Sequence, residues 1–233
     1  MPLSRHVAVL SCVAVLTGGC ATTSPLRQLE CAAPDARLAA LLSDYDALTP
    51  STCASEEGRE CGRLRSDIEQ LSLTCPAHEP SLFAVAIISY EDGDSARAQQ
   101  FLDRLLSRPA PRPEAAVLRA RLALDDGNLP FARRLLEQQL RVSPDHPGLH
   151  ELLASVYFLG KDLTAADREL NAAGRLGAPR WRVAYHLGLL SEANGRTAEA
   201  ARLFEESVAG NPGWDGASSR LRALRAYETA PRP

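Results

Sequence analysis

Apolar residues fall at helical spacing along most of this chain. Leu38, Leu41, Leu42 and Tyr45 form one stripe within Pro34 to Leu48, and Leu64, Ile68 and Leu71 form another within Gly62 to Thr74. Spacings of three and four residues put each set on one face of a helix. Pro34 and Asp35 suit a first helical turn, where a missing N–H costs nothing and a negative charge is favoured. Between the stripes, Thr49 to Gly58 is rich in Pro, Ser, Thr and Gly and reads as a loop. Two helices joined in this way form an antiparallel hairpin.

A period then dominates the chain. Gly93, Gly127, Gly160 and Gly195 recur at intervals of 34, 33 and 35 residues, and five residues after each stands an alanine: Ala98, Ala132, Ala165 and Ala200. A glycine allows the tight turn between two helices, and a small alanine lets the second helix pack closely on the first. The reading is an all-α chain of about four helix–turn–helix units, at 79–214. Ala217 to Tyr227, with Leu221 and Leu224 on one side and Arg220, Arg222 and Arg225 around the rest, reads as a terminal capping helix within 215–233.

This register resembles the tetratricopeptide repeat, a helix–turn–helix unit of about 34 residues. The copy from Trp181 to Trp214 matches signature positions at Leu187-Gly188, Ala200, Phe204 and Pro212, and also carries Tyr185 and Gly195. The copy from Pro113 to Asp145 keeps Ala120, Gly127, Ala132, Leu136 and Pro144. That from Glu79 to Arg112 keeps Ala86, Gly93, Ala98 and Leu102. The third, His146 to Arg180, keeps Leu152, Gly160, Ala165 and Ala172 but has Glu169 where an aromatic residue or leucine is usual; the adjacent Leu170 points to a rotated or shifted second helix. The resemblance implies a right-handed α-solenoid whose first helices line a concave groove. Carried across position by position, it assigns to that groove Phe83, Ile87 and Tyr90, then Val117, Arg121 and Leu124. The third copy supplies His150, Ala154, Tyr157 and Phe158, and the fourth Arg182, Tyr185, Leu189 and Glu192. Tyr157 and Tyr185, rings with a polar tip, are the strongest anchor candidates.

The N-terminus carries a different message. Arg5 precedes the apolar run Val7 to Leu16, interrupted only by Ser11, and Thr17-Gly18-Gly19-Cys20 follows. A positive start, a short apolar run and small residues before a cut site make a signal peptide, here 1–19; the run is too short to span a bilayer. Leu16 to Cys20 resembles the bacterial lipobox, with Thr17 in the place usually held by leucine. That resemblance implies lipidation of Cys20, palmitate included, and Ala21 after it implies sorting to the outer membrane. Residues 20–30 would then be a lipidated tether.

Cys31, Cys53, Cys61 and Cys75 all precede the repeats. An even number in an exported chain implies disulfides, and no Cys-x-x-Cys pair favours zinc. Four cysteines allow three connectivities. In a hairpin over 31–78, Cys31 and Cys75 fall at the open end, Cys53 and Cys61 at the loop end. A helix of ~14 residues is ~21 Å long, and bridged Cα atoms lie within ~7 Å, so the nested pairing Cys31–Cys75 and Cys53–Cys61 is expected.

A formal charge of −3 and a single lysine, Lys161, leave no basic run for nucleic acid. His146 and His150 have metal-ligand spacing on a helix, but no glutamate base stands between them. Asp125-Asp126 and Glu205-Glu206 are adjacent acids, which diverge on a helix. No phosphate-binding glycine loop or nucleophile elbow occurs. No enzyme, cofactor, metal or small-molecule substrate is expected. The groove set, aromatic and aliphatic with isolated charges, suits a peptide or helix of another protein. In architecture the chain looks like the pilotin lipoproteins that help pilus or secretion secretins assemble, and less closely like barrel-assembly lipoproteins. The expected role is a scaffold for an envelope machine at the periplasmic face of the outer membrane. The alternatives are an adaptor for cell-wall hydrolases or synthases and a structural part of a motility or envelope complex.

Overall fold

A computed structural model describes residues 31–48 and 59–229. Eleven α-helices and no strand occur among the described residues. The first two, α1 (Pro34–Asp46) and α2 (Arg59–Thr74), pack on each other. Four helix pairs follow: α3 (Glu79–Glu91) with α4 (Ser95–Leu106), α5 (Pro113–Asp125) with α6 (Leu129–Leu140), α7 (Pro147–Leu159) with α8 (Leu163–Arg175), and α9 (Arg180–Ala193) with α10 (Thr197–Gly210). A last helix, α11 (Asp215–Thr229), packs on α10. Each helix packs on its sequence neighbour. The first helices of successive pairs also meet, α5 with α7 and α7 with α9, so they form the inner row of the stack.

Sequence sets where the helices begin. Proline occupies the first or second position of α1, α3, α5, α6 and α7, where its fixed φ favours the helix and its missing N–H would be unpaired anyway. Three second helices are capped by a side chain. Asp94 accepts from the Arg97 N–H at 3.0 Å, Asn128 from Phe131 at 3.2 Å and Asp162 from Ala165 at 2.9 Å. Such a cap contributes about 1 kcal/mol.

The turns repeat with a period stricter than the glycines suggest. Left-handed backbone occurs at Gly93 (φ 78°), Gly127 (φ 72°), Lys161 (φ 67°) and Gly195 (φ 73°), every 34 residues by their numbering. Gly160 keeps φ −76° as an ordinary helix end. The expectation that Gly160 makes the third turn is thus corrected, and Lys161 holds the place that favours glycine. The turn bonds agree: the N–H groups of Asp94, Asn128, Asp162 and Arg196 donate to Ser89, Ala123, Tyr157 and Ser191. In this frame the close-packing alanine of the third pair is Ala166 and not Ala165; Ala98, Ala132, Ala166 and Ala200 are all fully buried. Leu170, 2% exposed, takes the large inward position expected at Glu169.

The core runs along the stack as successive clusters. Leu38, Ile68, Leu71, Cys75, Leu82 and Leu102 join the hairpin to the first pair, and Phe204, Leu221 and Leu224 join the last pair to α11. Cys31 and Cys75 stand at disulfide distance, Cα to Cα 5.3 Å. Beside them His78 Nε2 meets Asp35 at 3.0 Å, tying the start of α1 to the turn that leads into α3. Cys61 is buried; Cys53 lies outside the described residues, as do Cys20 and the whole expected signal and tether. No described helix is long and apolar enough to cross a membrane.

Candidate functional site: the inner row of first helices

Two adjoining depressions open on the inner row. The larger, about 440 Å³, is lined by Val117, Arg121, Leu124 and Asp125 of α5, by Gly148, Glu151, Leu152, Ser155 and Leu159 of α7, and by Arg182 and His186 of α9. The smaller, about 290 Å³, lies between α7, α8 and α9 and is lined chiefly by apolar groups, among them Phe158, Leu170, Tyr185, Leu189 and Leu190. Ser155, Leu159 and His186 border both, so the two form one trough across three helices. Leu159, 51% exposed, stands between them as an unusually open leucine.

A polar cluster sits on the trough floor. Arg182 Nη2 donates to one oxygen of Glu151 at 2.7 Å, and His186 Nε2 lies 3.6 Å from the other. Burial raises the Glu151 pKa, but the nearby His186 imidazole and the Arg182 guanidinium outweigh it and hold the carboxyl below its ordinary value. At the α5 end, the Tyr90 hydroxyl donates to Asp125 at 3.1 Å; burial, then the Asp125 charge, pushes that phenol up. Arg121 is exposed beside it.

Of the expected groove set, the structure brings together Val117, Arg121, Leu124, Ala154, Phe158, Arg182, Tyr185 and Leu189. Others lie elsewhere. Phe83 lines a separate apolar depression with Pro80, Leu105 and Ala115, and Tyr90 lies just beyond the α5 wall. Ile87 is half-buried on α3, and Glu192 meets Arg220 of α11 at 3.5 Å. Tyr185 also packs inward, its ring 4.4 Å from that of Trp214 and 5.8 Å from that of Phe204.

Tyr157 and His150 differ most from expectation. The Tyr157 ring lies against Arg133 of α6, 5.2 Å from its guanidinium carbon, and its hydroxyl reaches Glu137 at 3.3 Å; it lines a depression with α6 and not the trough. His150 bonds Glu169 of α8 at 2.7 Å and the Pro144 carbonyl at 2.8 Å. The reason is the frame. Counted from Lys161, Tyr157 stands where the other pairs have Ser89, Ala123 and Ser191, all buried, and His150 where they have Leu82, Ala116 and Ala184, also buried. One residue on, Glu151, Ser155, Phe158 and Leu159 take the groove positions. The signal that locates them is the run of cap residues Asp94, Asn128 and Asp162, which keeps a strict 34-residue step through the third pair. His146 and His150, the metal-spaced pair, turn to separate partners: His146 faces Glu114 at 3.4 Å.

Comparison with known proteins places this arrangement in a class of fold. A family model described as the second ARM domain of tetratricopeptide repeat protein 21 matches residues 31–127, from the hairpin through α5. No curated protein matches the chain in sequence. Among solved structures it is similar to a thermophilic TPR protein of Thermus thermophilus, at 18% identity and TM-score 0.66, over 83% of this chain and 100% of that one. It is also similar to PilF of Pseudomonas aeruginosa, at 15% identity and TM-score 0.61, over 83% and 82%. A third likeness is to the Cut9–Hcn1 hetero-tetramer of the APC/C, at 12% identity and TM-score 0.66, over 89% of this chain and 43% of that one. The fold is therefore a tetratricopeptide/ARM-like helical repeat.

Proposed function

We propose that this protein is a non-enzymatic scaffold, anchored by lipid on Cys20 at the periplasmic face of the outer membrane, that holds other envelope proteins along its inner row of helices. The observation that carries the binding role is the continuous trough across α5, α7 and α9, where an open leucine adjoins an apolar crevice and a charged floor. Concave repeat surfaces suit extended or helical segments because they offer many contacts on a rigid frame. The anchor rests on the Gly18-Gly19-Cys20 sequence after an apolar run. Several acyl chains, each buried CH₂ worth ~0.8 kcal/mol, hold a protein stably at a bilayer.

In this reading residues 1–19 are removed, 20–30 form the tether, and the hairpin of 31–78 caps a right-handed stack that runs through 79–214 to the helix in 215–233. A family match that begins at Cys31 supports counting the hairpin with the repeats. The second pairing, Cys53–Cys61, belongs to the same proposal. Similarity of fold to PilF is compatible with a part in assembling a pilus or secretion secretin; fold alone does not fix that part. The anchor is tested by growth with labelled fatty acid in a Gram-negative host. Label on the protein and recovery in outer-membrane fractions are expected, with both lost in Cys20→Ser. An unlabelled wild-type protein overturns the anchored reading.

A further inference from the structure

We propose that the trough selects an internal acidic segment of a partner protein, one that sets a side-chain carboxylate close to a bulky apolar side chain. This deepens the reading of the inner row as a binding face and rests on it.

The first ground is the balance of hydrogen-bonding groups. Glu151 is already faced by Arg182 on one oxygen and His186 on the other, and its side chain is only 12% exposed. Asp125 takes the Tyr90 hydroxyl. The donors are less fully used. Arg121 is exposed, and Arg182, whose side chain is 41% exposed, turns Nη2 to Glu151 and keeps further guanidinium N–H groups toward the trough. A guanidinium carries five N–H donors and no acceptor. What the trough lacks is therefore an acceptor, and a carboxylate is the acceptor that guanidinium groups bind most strongly. A carboxylate gains at these guanidinium groups.

The second ground is the crevice that adjoins this floor. Phe158, Tyr185 and Leu189 frame it, and Leu159 stands at its mouth. An apolar side chain placed there removes an open leucine from water as well as itself. The carboxylate and the apolar group must then lie close together on one segment, because Ser155, Leu159 and His186 border both depressions.

An internal segment fits better than a chain end. Arg121 and Arg182 stand on α5 and α9, with α7 between them. Packed helices lie ~8–10 Å apart, so the two cations are spread along the trough and do not converge on one terminal carboxylate.

The test is selection on the full chain from a displayed library of random peptides about 14 residues long, flanked by linkers on both sides. A second library presents the same peptides with a free C-terminus. The first library should enrich Asp or Glu within about four residues of Leu, Ile, Phe or Trp, one helical turn. Binding of an enriched peptide should weaken about tenfold or more in Arg121→Glu, whose exposed site leaves the fold intact, and recover when the peptide's acid is changed to lysine. Enrichment confined to the free-terminus library, enrichment of neutral or basic peptides, or no enrichment overturns the acidic preference. Leu159→Asp separates the two claims. If selected peptides of another composition lose binding in that variant, the inner row remains the binding face and only the preference falls. If binding survives both Leu159→Asp and Arg121→Glu, the inner-row reading itself fails.

Discussion

The third and fourth helix pairs fill the same places in the stack with different chemistry. In the fourth, Phe204 is fully buried against Gly188, whose missing side chain makes the room: a Cβ there would stand 2.6 Å from the ring. In the third, the corresponding residues are Leu170 and Ala154, both buried in one cluster. Ala86 with Leu102 and Ala120 with Leu136 repeat that smaller arrangement. The fourth pair has traded a methyl on one helix for a ring on the other. The third pair departs in its own way, setting polar His150 and Glu169 where the fourth has Ala184 and Leu203 and turning at Lys161 where the fourth turns at Gly195. The 34-residue spacing is held constant while the residues that fill it change.

That comparison can be broken by mutation, and the largest effect is expected in the fourth pair. Phe204→Ala removes a fully buried ring and should cost ~3–5 kcal/mol, read as the shift of a urea unfolding curve. A smaller loss, ~1–3 kcal/mol, is expected for Gly188→Ala, which pushes a methyl into the same ring. If the trade is real, adding Phe204→Leu to Gly188→Ala recreates the third pair's arrangement and recovers part of the loss. Strict additivity in that double-mutant cycle contradicts it.

The third pair gives the smaller effects. Glu169→Ala leaves His150 without its 2.7 Å partner and should cost ~1–2 kcal/mol. The double change His150→Leu with Glu169→Phe, the residues of the first pair, should be neutral or stabilising by comparison with wild type. Lys161→Gly relieves a left-handed residue that costs ~1–2 kcal/mol against a glycine entropy penalty of ~0.5–1 kcal/mol, so a gain of up to about 1 kcal/mol is expected. Gly160→Ala has no left-handed backbone to disturb and should change stability less than Gly195→Ala; the reverse order would restore Gly160 as the turn residue.

These two pairs also mark how far the chain could be read before its structure was seen. Apolar stripes and caps announce the helices because period and capping chemistry are local. The fourth pair was legible down to Gly188 and Phe204. The third was legible as an element but not in its frame, because Gly160 imitates the turn residue one place early and a lysine in left-handed backbone leaves no mark in composition. That single-residue slip moves the inferred groove positions of the third pair, which is how Glu151, Ser155, Phe158 and Leu159 were read as His150, Ala154, Tyr157 and Phe158. The Glu151–Arg182–His186 cluster was not legible at all, since it joins side chains about 30 residues apart whose meeting depends on the packing of α7 against α9.

The central claim is that partners bind along the inner row in the frame set by Lys161. Its most direct test is a photo-crosslinking amino acid placed in turn at Ser155, in the trough, and at Arg134, exposed on α6 away from it, with the full chain expressed in a Gram-negative host. Irradiation is expected to join a partner protein to the Ser155 variant and not to the Arg134 variant, and Leu159→Asp is expected to abolish the adduct. Adducts from Arg134 with none from Ser155, in protein that remains folded, contradict that claim.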